Sequence, residues 1–321
     1  MRRMLSALAV GALALTSTLV AAQASFPAKP MRFIVPFAPG GGTDAFARNV
    51  GAKLTQVWGQ QVVVENRAGA QGNIGTAMGA KAAPDGYALT LAYVGTLAIN
   101  PHLYKDPGFD SLKDFAAVTR GTLEAWVLVV HPSLPVRSVR ELASLARQRP
   151  GQLTFASSAS GTQLVGELFK LATRTNIVHV PYKGAGPAVI DLLAGNVQMM
   201  YSNPTAAVPH VKSGRLRGLL VTGHKRLEAL PDLPTSVEAG VPELDVLGWY
   251  GVVVPSGTSP AIVRKLNTDF VNALNSADVR QRMKNLGQEL SPSTPEQFQE
   301  QIRNDYALWG KVVRASGVKA D

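Results

Sequence analysis

The chain has 321 residues, no cysteine, 46% hydrophobic and 17% charged residues, and a formal net charge of +10. That is too apolar and too lightly charged for a disordered chain, and 30 glycines with 21 prolines fall short of low complexity. A chain of this size buries a sizeable core and favours two lobes over one. Without cysteine there is no disulfide frame, no thiolate metal site and no cysteine nucleophile.

The N-terminus reads as an export address. Arg2 and Arg3 precede an apolar run from Leu5 to Val20, and Ala22-Gln23-Ala24 offers small residues at the cleavage positions. Residues 1–24 are expected to be a cleaved signal peptide, with the mature protein exported and soluble. An uncleaved anchor is the weaker alternative, because the run is short for a membrane span. Lys and Arg are scattered, and aromatics are not interleaved with them, so nucleic acid is not an expected partner. The basic surface gives only a mild bias toward anionic solutes.

From Arg32 short β runs alternate with helical stretches, the pattern of a mostly parallel α/β sheet flanked by helices. Phe33-Ile34-Val35 is apolar throughout, as in a strand covered on both faces. After the loop P-F-A-P-G-G-G-T-D, Phe46, Val50, Leu54 and Val57 recur at helical spacing. Strand Val62–Glu65, a glycine-spaced loop with a short helix over 67–83, and strand Ala88–Tyr93 follow. A second series starts with strand Trp126–Val130. Ser138 and Glu141 then open a helix that Pro150-Gly151 stops. Strand Leu153–Ala156, helix Gln163–Ala172, strand Ile177–Val180, helix Pro187–Ala194 and strands Gln198–Tyr201 and Leu216–Val221 complete that series. A strand near Tyr250–Val254 leads to a helical tail, with helix starts at Ser259-Pro260 and Thr294-Pro295. Amphipathic helices cannot bury themselves alone, so the tail is expected to pack back on the first series. The expected lobes are therefore 25–125 with 250–321, and 126–249, with chain crossings near 122–126 and 247–251.

Residues 38–44, A-P-G-G-G-T-D, form the sharpest local feature. Gly40, Gly42 and Ala45 satisfy G-x-G-x-x-A, and Glu65 ends the next strand, which alone would suggest a dinucleotide site. A pyrophosphate turn follows its strand directly, however, and here Pro36, Phe37, Ala38 and Pro39 intervene, so no cofactor is expected. The underlying physics survives. Glycine lets backbone approach a ligand, and the first amides of a helix lack intrahelical partners. A carboxylate there gains charge-assisted hydrogen bonds and the helix dipole. Thr43 adds a hydroxyl, and Asp44 reads as a cap. A merely tight turn is the bland alternative.

The second series repeats this layout, with Ser157, Ser158, Ser160, Gly161 and Thr162 between a strand end and a helix. Tyr182, Lys183 and Gly184 occupy a third strand–helix junction, and the glycines at 69, 72 and 75 supply a fourth flexible segment. Several such corners across two lobes predict an anion-binding cleft. Catalytic patterns are thin, with no G-x-S-x-G, no H-E-x-x-H and no phosphate-binding loop. The five histidines (102, 131, 179, 210 and 224) show no metal-ligand spacing, and no metal is expected. A serine among 157, 158 and 160 becomes a nucleophile only if a histidine folds against it, which leaves an exported serine hydrolase as a rival reading. Trp249-Tyr250, at the second crossing, reads either as packed hinge aromatics or as a stacking wall.

A longer set of segments resembles a known family. These are P-F-A-P-G-G-G-T-D-A-F-A-R (36–48), V-V-V-E-N-R-A-G-A-Q-G-N-I-G (62–75), K-A-A-P-D-G-Y-A-L (81–89) and N-P-H-L-Y (100–104). V-H-P-S-L-P-V-R-S-V-R-E-L (130–142), P-Y-K-G-A-G-P-A (181–188), P-H-V-K-S-G-R-L-R (209–217), L-P-T-S-V-E-A-G (233–240), W-Y-G (249–251) and T-P-E-Q-F (294–298) continue it in order. Together they resemble the extracytoplasmic solute receptors of tripartite tricarboxylate transporters, the Bug family. The resemblance implies a two-lobed periplasmic-binding-protein fold joined by crossover strands, and a receptor rather than an enzyme. It implies hinge closure on a small carboxylate-bearing ligand and delivery to membrane permease subunits, with a sensor protein as the alternative partner. By position, first-lobe contacts fall in Phe37, Ala38, Pro39, Gly40, Gly41, Gly42 and Thr43, and second-lobe contacts in Ser157 to Thr162. One departure stands out: only Gln163, Leu164 and Val165 separate Thr162 from Gly166–Phe169, where the family often has a few more residues and a histidine.

Overall fold

The computed structural model describes residues 26–182 and 184–319, so the expected signal peptide and Lys183 lie outside the described residues. The first series opens with β1 (Met31–Val35), buried except at Arg32, as its unbroken apolar run requires. α1 (Gly42–Trp58) leads to β2 (Val62–Asn66), and α2 (Asn73–Ala80) to β3 (Ala88–Tyr93). A π-type turn over Gly95–Ile99 runs into a short α3 (Asn100–Leu103). β4 (Phe115–Glu124) then carries the chain across to β5 (Val127–Val130).

The second series is α4 (Val139–Gln148), β6 (Thr154–Ser157), α5 (Ser160–Thr173), β7 (Val178–Pro181), α6 (Ala185–Leu193), β8 (Met199–Ser202), α7 (Pro204–Lys212) and β9 (Arg217–Val221). β10 (Gly248–Pro255) returns the chain, followed by α8 (Pro260–Asn275), α9 (Ala277–Asn285), β11 (Glu289–Leu290) and α10 (Pro295–Ser316).

These strands form two sheets, ordered β11-β4-β10-β3-β1-β2 and β7-β6-β8-β5-β9. Within them the runs β2-β1-β3-β10-β4 and β7-β6-β8-β5-β9 share one pattern. In each, the first strand of the βα series lies between the next two, and all three are parallel. The strands that cross between lobes run antiparallel to their neighbours, β10 to β3 and β4, and β5 to β8 and β9. Each sheet is therefore mixed, because a strand arriving from the other lobe enters against the direction of the series it joins. The loops after β1 and β6 both lie where the chain's successive connections diverge, the place where open α/β sheets bind ligands.

The tail packs as expected, with α8 and α10 against β4 and α8 and α9 against α1. Trp249 is fully buried on β10, donates Nε1–H to Asp305 of α10 at 2.6 Å and meets Phe298 edge-on at 5.1 Å. It is a packed aromatic at the second crossing, not a ligand wall. Gly251 follows, and a Cβ there would lie 2.3 Å from the Phe298 ring and 2.8 Å from the Thr119 carbonyl oxygen. β4 ends on Glu124, only 4% exposed, and burial pushes its carboxyl up to about 7, partly opposed by the Tyr250 hydroxyl. Tyr93 on β3 and Tyr250 on β10 are the titratable groups that act on it.

Two outcomes follow from this packing. Gly251→Ala is expected to cost about 1–3 kcal/mol, read as a lower urea midpoint with unchanged slope. For Glu124, the folded value near 7 lies above the ordinary 4.5, so folding stability falls as pH rises through that interval and the full penalty persists above it. Glu124→Gln removes the penalty. Its melting midpoint is expected to exceed that of the parent at pH 8 and to converge with it at pH 4; an equal difference at both pH values would contradict the buried proton.

Candidate functional site

The first corner is held open by its own neighbours. Asn66, at the end of β2, donates Nδ2–H to the Phe37 carbonyl and to Asp44 Oδ1, both at 3.0 Å. Asp44 accepts the Gly40 amide at 3.0 Å and Arg48 Nε–H at 3.0 Å, so it braces the loop ahead of the helix instead of capping the helix itself. Burial opposes its ionisation, but Arg48, the Gly40 amide and Asn66 outweigh that and hold its carboxyl below the usual range. α1 begins at Gly42 with N-cap Gly41 and no side chain capping it. Its first intrahelical bond is from Ala45 N–H to the Gly41 carbonyl, at 2.9 Å. The amides of Gly42, Thr43 and Asp44 precede that bond and have no intrahelical partner. Gly40, at φ +89°, takes a backbone conformation that side chains resist, and a Cβ on Gly40 or Gly41 would meet nothing within 4 Å.

The second corner differs from expectation in one respect. α5 begins at Ser160, not Gln163, so Ser160, Gly161 and Thr162 form its first turn instead of a loop. The helix extends because Thr162 closes that turn locally, its hydroxyl accepting the Ser158 and Ala159 amides at 3.1 and 3.3 Å and donating to the Ala159 carbonyl at 2.9 Å. The first intrahelical bond runs from Gln163 N–H to Ala159 O at 3.0 Å, which leaves the Ser160, Gly161 and Thr162 amides ahead of it. Ser160 and Thr162 are buried, and Ser160 Oγ has no protein partner.

The structure joins the two corners through tyrosines. Phe37 meets Tyr93 edge-on at 5.4 Å, and Tyr93 lies 5.8 Å from Tyr250. A Cβ on Gly161 would sit 2.6 Å from the Tyr93 hydroxyl, and one on Gly95 would sit 2.6 Å from Ser160 Oγ. A Cβ on Gly42 would sit 3.1 Å from the Tyr250 hydroxyl and 2.9 Å from Gln288 Nε2, which donates to the Gly42 carbonyl at 2.9 Å. Tyr250 also hydrogen-bonds Glu124 and Asn203, the residue that caps α7. Tyr93, Glu124, Asn203 and Gln288 were not singled out by sequence. Only the glycines on either side of them, which permit the close approaches, carried a signal.

Other candidates are placed elsewhere. Tyr182 donates its hydroxyl to Asp191 Oδ2 of α6 at 2.6 Å, so that hydroxyl is committed within its own lobe. Gly184 N-caps α6 at φ +117° with open space around it. Gly72 and Gly75 are packing glycines, not flexible backbone; a Cβ would lie 2.6 Å from Thr96 and 2.7 Å from Pro36 respectively. Ser157 Oγ lies 2.6 Å from His179 Nε2, a pairing the sequence did not suggest, and Gln163 Nε2 stands 3.5 Å from the other ring nitrogen. A histidine thus reaches the short 162–166 segment from β7. Ser157 is 3% exposed, and the group on the far side of its histidine is an amide. That geometry serves a buried hydrogen bond better than nucleophilic attack.

Two surface concavities, of about 320 and 460 Å³, both lie against α10 and include none of the candidate residues. The starts of α8 and α10 at the larger one are capped by Ser259 and Thr294. The starts of α1 and α5, which no side chain caps and between which Tyr93 and Tyr250 lie, are the candidate site instead. Among the described residues no group of three or more His, Cys, Asp or Glu is gathered to hold a metal, and no helix is long and apolar enough to cross a membrane.

Known proteins resemble this chain in sequence and fold. Residues 46–318 match the tripartite tricarboxylate transporter family receptor. Protein BugT of Bordetella pertussis is 40% identical over 298 residues, covering 92% of this chain and 91% of its own. The structure of R. palustris Rpa4515 with adipate has a TM-score of 0.85 at 38% identity, over 92% of this chain and 99% of that one. MatC (Rpa3494) from Rhodopseudomonas palustris with bound malate has a TM-score of 0.82 at 31% identity, over 90% of this chain and all of that one. With the fold, the free helix starts and a match along most of its length, the chain belongs to the tripartite tricarboxylate transporter family of periplasmic solute-binding receptors.

Proposed function

We propose that this receptor captures a small carboxylate-bearing anion between its lobes and hands it to membrane permease subunits. The observation that carries the reading is the pair of uncapped helix starts, α1 and α5, lying at equivalent places in the two sheets and linked through Tyr250 and Tyr93. One carboxylate accepting amides from both helices gains charge-assisted hydrogen bonds and two favourable dipoles. Gly41, Gly42 and Thr43 supply one side of the cradle, Ser160, Gly161 and Thr162 the other, and Phe37 walls it. Adipate and malate in the related structures are carboxylates of this class.

In this reading residues 25–125 with 250–321 form one lobe and 126–249 the other. The hinge lies where β4 passes to β5 and where the chain re-enters β10. A ligand touching both lobes binds the closed form better and shifts the equilibrium by that difference. Two or three such hydrogen bonds, at about 1.5–3 kcal/mol each, sustain micromolar affinity after ordering costs. Residues 1–24 act as the export signal.

Gly41 has φ −86° and ψ 175° with open space at its Cβ position, so a side chain there is unstrained. Gly41→Asp is expected to weaken, by at least about thirtyfold, whichever of adipate and malate raises the melting midpoint of the parent protein. The ligand-free midpoint should stay within about 2 °C. Calorimetric titration of the parent, Gly41→Asp and a neutral Gly41→Ser control measures this; an unaltered titration for Gly41→Asp removes the loop from the site.

A further inference from the structure

Two buried acceptor oxygens, on residues that strand register sets opposite each other, have no donor among the described residues. β11 pairs with β4 as Glu289 opposite Leu123 and Leu290 opposite Thr122, so continuing the register by one residue sets Gln288 opposite Glu124. Directly opposed residues of antiparallel strands share one face, with Cβ atoms about 5 Å apart. Both side chains are 4% exposed, and Oε1 of each is buried without a partner. The remaining atoms are engaged: Gln288 Nε2 donates to the Gly42 carbonyl at 2.9 Å, and the Tyr250 hydroxyl bonds the Glu124 carboxyl. Those bonds anchor the pair to the helix start that cradles the ligand carboxylate.

An amide oxygen and an ionised carboxylate oxygen only accept. The pair therefore lacks one donor. In the ligand-free protein the proton that burial keeps on Glu124 up to about pH 7 can fill that need. A bound molecule can fill it instead.

We propose that Glu124 and Gln288 select ligands that carry a hydroxyl or ammonium donor in addition to the carboxylate. The inference rests on the carboxylate reading of the cleft. An unsubstituted acid presents only methylene or further acceptors here, so Glu124 must keep its own proton to pair Gln288 or, once ionised, leave both oxygens unpaired, which is costly. A hydroxyl or ammonium reaching Glu124 makes a charge-assisted bond and releases the carboxyl from holding its own proton.

Calorimetric titration of matched acids tests this, using succinate against malate and aspartate, and adipate against 2-hydroxyadipate. In every pair that binds, the donor-bearing member is expected to bind at least about tenfold tighter. The gap should close in Glu124→Gln, whose new amide can donate to the Gln288 oxygen, and in Gln288→Met, which removes the second acceptor. Equal affinities within pairs would overturn the proposal and leave the carboxylate site standing. A gap that persists in both variants would also overturn it, by placing selection elsewhere. If no acid of the panel binds the parent protein, the carboxylate reading falls and this inference with it.

Discussion

The Tyr250 hydroxyl is the point on which the two halves of the molecule depend. It is buried, so it must be satisfied where it stands, and its two partners, Glu124 and Asn203, come from separate parts of the chain. Asn203 caps α7 through Oδ1, which leaves its amide N–H for Tyr250, and Tyr250 in turn donates to Glu124. One short relay thus ties the second series to both crossing strands, against the start of α1. Burial pushes the Tyr250 hydroxyl far above its ordinary range, with the neighbouring Glu124 adding to the shift, so it remains a donor across any physiological pH.

Around that point the two sheets repeat one strand pattern, and the repeat explains why two different sequences make equivalent corners. The chain after β1 uses glycines, and the chain after β6 uses serine, alanine, glycine and threonine. Both leave the first turn of a helix free of side-chain caps on its leading amides. Small residues are demanded from both directions. Gly161 and Gly95 admit the tyrosine and serine of the facing lobe, and Gly42 admits Tyr250 and Gln288. A larger residue at any of these places would hold the corners apart.

The serine and histidine at 157 and 179 show how residue types alone mislead about chemistry. Their 2.6 Å contact has the separation of a nucleophile and its base. The serine, however, ends an internal strand next to Phe155, whose ring lies 4.9 Å from the imidazole, and the far ring nitrogen faces the Gln163 amide. The contact ties β7 to β6 and α5, and the α5 start that faces the other lobe begins three residues later, at Ser160.

Much of the local structure was legible in the sequence. Apolar runs marked β1, β3 and β5, helical spacing marked α1 and α4, and the caps at Ser138, Ser259 and Thr294 marked helix starts. The glycine and serine corners stood out because they need particular backbone freedom, which few residue types supply. β4 was missed because Thr119, Arg120 and Thr122 interrupt its apolar pattern, and only the tail explains them: Thr119 and Arg120 bond to Ser291, Ser293 and Gln301. α7 was missed because Pro204 and Pro209 read as breakers. Sequence by itself determined the periodicities, caps and close-approach glycines, since these are set by neighbours a few residues away. Tertiary structure alone decided that Gln288 reaches the Gly42 carbonyl, that Tyr250 reaches Asn203 and that Tyr182 turns to Asp191, because each depends on the register and packing of distant segments.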